Sequence, residues 1–75
     1  MLTYVCDYSA TTPSVVANFL SSSFNRNHFP ISVTWVDVDE DRFELNIIPY
    51  FKENSFSTAD KELLDSLVAP ILFEE

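Results

Sequence analysis

Ile31-Ser32-Val33-Thr34-Trp35-Val36-Asp37-Val38 runs into Asp39-Glu40-Asp41 and then into Arg42-Phe43-Glu44-Leu45-Asn46-Ile47. Apolar and polar residues alternate on both sides of the acidic triplet, which is the period of a half-buried strand. Ile31, Val33 and Trp35 share one face, as do Phe43, Leu45 and Ile47; Ser32, Thr34, Arg42, Glu44 and Asn46 turn the other way. Two such runs around a short polar link predict an antiparallel hairpin, with Trp35 and Phe43 in the core and the tyrosines at its rim. Ile48-Pro49 either ends the second strand or marks it as an edge, because proline has no N–H to give to a ladder.

Outward from the hairpin, Leu2 to Tyr8 alternates in the same way, with Leu2, Tyr4, Cys6 and Tyr8 on one face. Thr12-Pro13 predicts a helix start, a hydroxyl cap followed by proline in the first turn. Val15, Val16, Phe19, Leu20 and Phe24 then recur at spacings of three and four, one apolar stripe. That helix should stop near Asn25, with Asn27-His28-Phe29-Pro30 breaking it. On the far side, Ser57 is a cap with Asp60 three residues on, a form of capping box. Leu63, Leu64, Leu67, Val68 and Ile71 make the next stripe, and Pro70 should end or kink that helix near Ala69. The order is β-α-β-β-α. It implies an α+β two-layer sandwich, a three-stranded sheet with two helices on one face, in a single small domain over residues 1–75. A right-handed first crossover would make the first two strands parallel if adjacent; their order is left open.

Composition narrows the chemistry. Of 75 residues, 47% are hydrophobic, enough apolar surface to offset ordering entropy and exclude a disordered chain. There is no glycine, so glycine-rich phosphate loops are excluded, and any left-handed position must be avoided or filled by Asn or Asp. Cys6 is the one cysteine, so no internal disulfide forms. No basic leader and no apolar run long enough for a bilayer is present, and a cytoplasmic location is expected. The formal net charge is −8, and all of it falls on residues 37–75, where eleven acids face Arg42, Lys52 and Lys61. Such a field opposes direct binding to nucleic acid or to an anionic membrane.

Asp37, Asp39 and Asp41 have the opening spacing of a calcium loop, but Arg42 stands where the pattern needs glycine and Ile48 where it needs the bidentate Glu. No metal site and no cofactor is expected. Cys6 or Asp7 could be imagined beside His28, yet nothing in the sequence joins them, and a cysteine on an apolar strand face reads as a buried thiol. No catalytic residue is assigned. An aromatic platform for stacked bases (Tyr4, Tyr8, Trp35, Phe43, Tyr50, Phe51) lacks the cationic groove such platforms use. The tail Pro70-Ile71-Leu72-Phe73-Glu74-Glu75 either packs on the chain's own core or offers Ile71, Leu72 and Phe73 as an oligomer contact.

The expectation is therefore a small acidic, non-catalytic protein-interaction module. Asp37, Asp39, Glu40, Asp41 and Glu44, with Asp60, Glu62 and Asp65, would meet a basic protein surface such as that of a nucleic-acid-binding protein. Carboxylates there would stand in for phosphates, making the chain a nucleic-acid mimic or inhibitor. In size, charge and lack of a cysteine framework it resembles the small acidic inhibitors of phages. In element order alone it resembles the DinI-type modulators of the RecA filament. The alternative is a structural homodimer or assembly subunit joined through the apolar tail or a sheet edge.

Overall fold

The computed structural model describes residues 1–26 and 28–73; Asn27, Glu74 and Glu75, which the sequence reading placed in a helix break and in the tail, lie outside the described residues. The elements are β1 (Leu2–Asp7), α1 (Pro13–Asn25), β2 (Ile31–Asp37), β3 (Arg42–Pro49) and α2 (Thr58–Val68), followed by a short 3-10 turn over Ala69–Ile71. This is the expected α+β order. The sheet runs β1-β3-β2, with β3 antiparallel to both neighbours. β1 and β2 therefore point the same way but are separated by β3, and the β1-α1-β2 crossover passes over it. Pro49 ends β3, yet β3 is the central strand; its last residue sits opposite Ile31, and proline is tolerated where the ladder stops.

One face of the sheet carries the core. Cys6, Phe43, Leu45 and Ile47 are fully buried there against Leu20 and Phe24 of α1 and Leu64 and Val68 of α2. Alternation puts the strand residues on that face, and the three-and-four spacing puts the helical ones opposite. The stripe predicted on α1 is wider than the one buried. Val16, Leu20 and Phe24 go inside with Pro13, whereas Val15 and Phe19 are 59% and 49% exposed. Pro13 opens α1 as expected, but Thr12 makes no side-chain capping bond. Ser57 does cap α2: its hydroxyl accepts from the Asp60 N–H at 3.2 Å, and the Asp60 carboxylate accepts from the Ser57 N–H at 3.0 Å.

Trp35 corrects the sequence reading. It lies on the core-facing side of β2 but is 44% exposed. β2 is an edge strand with one neighbour, and its burial fades from Ile31 toward Asp37, so a ring at the hairpin end keeps a flank in water. Phe43, on the central strand, is enclosed from both sides.

The chain without glycine has no residue at positive φ among those described. The hairpin consequently avoids the two-residue turns that need one. Asp39 closes the link instead: its Oδ1 accepts from the Asp41 and Arg42 N–H groups at 2.9 and 3.0 Å.

Candidate functional site

The eight carboxylates expected to meet a partner do not gather in one place. Asp37, Asp39, Glu40, Asp41 and Glu44 surround the β2–β3 turn. Asp60, near the start of α2, contacts His28 beside the Ile31–Pro49 end. At about 3.3 Å per strand residue, the length of β3 separates these ends by roughly 20 Å. Glu62 and Asp65 lie on the exposed side of α2. The hairpin acids and Asp60 thus do not share one patch, and Asp65, which takes the Tyr4 hydroxyl near mid-sheet, lies between them.

Asp60 corrects the reading more sharply. It is only 7% exposed, the one buried charged residue among those described. Its carboxylate holds the α2 cap and stands 3.1 Å from His28 Nδ1. Hydrogen bonding from the Ser57 backbone, ahead of the opposing effect of burial and with help from His28, keeps its pKa below the ordinary 3.8. The His28 ring stacks on Phe24 at 4.6 Å, and Phe24 also meets Phe29 and Phe56 edge-on. Asp60 is therefore a buried structural cap, paired with His28, and does not face a partner. Sequence reading found the Ser57–Asp60 box but missed His28, because only the fold brings residue 28 to residue 60.

Neither pairing imagined for His28 forms. Cys6 and Asp7 are opposite Phe43 and Arg42, at the hairpin end of the sheet. Burial pushes the Cys6 thiol up to about 11, so the reactive thiolate is scarce near neutral pH. Asp7 accepts from the Ser9 N–H and hydroxyl, both at 2.8 Å. Among the described residues no cluster of three His, Cys, Asp or Glu is placed to hold a metal ion, and no enclosed cavity occurs.

At the hairpin end, Asp7, Asp37, Asp39, Glu40, Asp41 and Glu44 share one cation, Arg42. Arg42 is engaged already: its Nε and Nη2 donate to Asp39 Oδ2 at 2.9 and 2.5 Å, and its guanidinium lies over the Phe73 ring at 5.1 Å. That pairing holds Asp39 below the usual carboxylate range. Tyr8, its ring 4.8 Å from Phe43, donates its hydroxyl to Asp37, and this raises the phenol's pKa. Tyr4 likewise donates to Asp65 at 2.5 Å; burial, and then that carboxylate, push its phenol up. Glu40 and Asp41 are exposed, and their side chains hold no partner among the described residues. Val36 and Val38 are exposed on the solvent face near them, at 60% and 46%, and Trp35 on the opposite, core-facing side, at 44%. The other three cations belong to the far half of the molecule: Arg26 at the end of α1, Lys52 in the loop after β3 and Lys61 next to Asp60.

Ile71, Leu72 and Phe73 lie on the chain's own body. Ile71 and Leu72 pack on the core, Leu72 bridges to Cys6, and the Phe73 N–H donates to the Val5 carbonyl at 2.9 Å. Among the described residues no helix is long and apolar enough to cross a membrane. The chain matches no protein-family model, no curated protein and no solved structure.

Proposed function

We propose that the protein is a small non-catalytic interaction module that presents its hairpin end to a basic surface of another protein in the cytoplasm. The observation carrying this reading is the one-sided charge at that end, where six carboxylates surround an Arg42 already committed to Asp39 and Phe73. A field of that sign steers a basic partner and disfavours acidic ones. Exposed Val36 and Val38, which share the solvent face of the strand's end, supply the apolar contact that a purely ionic surface lacks. A partner whose basic surface normally holds nucleic acid would lose that ligand to the carboxylates, which makes the protein an inhibitor of phage type. Glu62 and Asp65 add to the field without belonging to the contact.

The test is capture from lysate by the immobilised protein, with wild type compared against Asp37→Asn, Glu40→Gln and Asp41→Asn combined. Asp39 is left intact because it closes the turn. Capture by the wild type should fall steeply with added salt, as the Debye length drops below about 10 Å. It should also fall with added DNA or RNA, and the variant should capture little. If the variant retains the same proteins equally well, the reading is wrong.

A further inference from the structure

The two edges of the sheet are treated differently. The outer edge of β1 meets the chain's own tail, through the Phe73–Val5 hydrogen bond and the Leu72–Cys6 bridge. Among the described residues nothing pairs with the outer edge of β2. The hydrogen bonds flanking β2 show which of its groups are left over. Val38 N–H donates to the Arg42 carbonyl at 3.1 Å, and Tyr50 N–H to the Pro30 carbonyl at 3.0 Å. In an antiparallel ladder, residues bond alternately to one side and the other. Ser32, Thr34 and Val36 therefore face β3, while Ile31, Val33, Trp35 and Asp37 turn their N–H and C=O groups outward.

That outward row has none of the usual guards. Natural edge strands are blunted by lysine, proline, a bulge or a covering segment. Ile31–Asp37 has no lysine and no proline, keeps an unbroken register with β3 over seven residues, and carries a single charge at its last position.

We infer that β2 pairs antiparallel with β2 of a second copy of this chain, about a two-fold axis at Thr34, joining two sheets into one of six strands. This inference is independent of the acidic hairpin reading. With Thr34 opposite its own copy, Val33 faces Trp35 and Ile31 faces Asp37. All four outward residues then fall in close pairs that exchange two bonds each, about eight in all. Trp35 gains a neighbour, the partner's Val33, on the side that water now occupies. The strand from Ile31 to Val36 is uncharged, so it suits an equally uncharged strand, whereas a basic segment would find one carboxylate along it. The antiparallel arrangement also keeps like charges apart. Six residues separate the two copies of Asp37, roughly 20 Å and well beyond a Debye length of about 8 Å.

Sedimentation equilibrium across about a hundredfold range of protein concentration tests this, since mass action drives association. The wild type should rise from 8.6 kDa toward twice that mass. Thr34 is exposed on the solvent face, so Thr34→Glu and Thr34→Lys leave the core intact, which circular dichroism checks. Each alone should stay monomeric, because identical charges would stand directly opposite. Mixed in equal amounts they should pair again. A wild type that remains at 8.6 kDa throughout overturns the inference, and so does a Thr34→Glu protein that dimerises as strongly as wild type. Glu40→Gln with Asp41→Asn should keep the dimer mass, so loss of partner capture and loss of dimerisation are read separately.

Discussion

At the Ile31–Pro49 end of the sheet a carboxylate is enclosed, capped and paired; at the hairpin end carboxylates stand in water around one engaged arginine. Asp60 and Asp41 show the difference. Asp60 accepts from the Ser57 N–H and stands against the His28 imidazole, whose ring stacks on Phe24. Asp41 contributes its backbone to the turn, while its side chain does nothing for the fold. The same residue type stabilises the domain at one end and is free to act outside it at the other, and what decides is the number of donors the fold supplies.

The comparison breaks first at the aromatic end. Phe24 is fully buried and touches His28, Phe29 and Phe56. Phe24→Ala should cost about 3–5 kcal/mol, against a total of about 4–11 kcal/mol for a domain of this length. Urea melts should show the variant at the limit of folding. Asp60→Ala comes next, at about 0.5–2 kcal/mol, mainly from the lost cap, with a smaller share from the contact to the partly exposed His28 imidazole. Because the folded pKa of Asp60 lies below its ordinary 3.8, its contribution is complete above about pH 4 and fades as pH falls through the lower folded value. Melts at pH 7 and pH 3 should therefore show Asp60→Asn and wild type converging in acid. A constant gap between them would mean that the cap and the His28 contact do not depend on the charge.

Much of the fold was legible because it rests on local pattern. Alternation set the three strands, spacing set the two helices, and Ser57–Asp60 declared the start of α2. What escaped depends on neighbours distant in sequence. The exposure of Trp35 follows from β2 lying at the edge, which alternation does not reveal. Val15 and Phe19 continue a stripe whose far side no element covers among the described residues. Asp60 was legible as a capping partner of Ser57, but its burial and its contact with His28 were not, since only the fold brings residue 28 to it. The acidic hairpin was visible as a charge run, but the separate duty of Asp39 was not, since only the turn geometry aims its carboxylate at two N–H groups and Arg42.

That duty sets up the smallest and most discriminating change. Within the turn, Asp39→Ala should lower the melting temperature, because two backbone donors and Arg42 lose their acceptor. Glu40→Gln with Asp41→Asn should not: neither side chain has a partner to lose. Exposed substitutions away from such contacts stay within about 0.5 kcal/mol, and removing two like charges from a crowded end relieves a little repulsion. The melting temperature should be unchanged or slightly raised while partner capture weakens. Capture that survives this pair yet fails in Asp39→Ala would shift the role from the free carboxylates to the shape of the turn, and the two ends of the sheet would then differ in exposure but not in purpose.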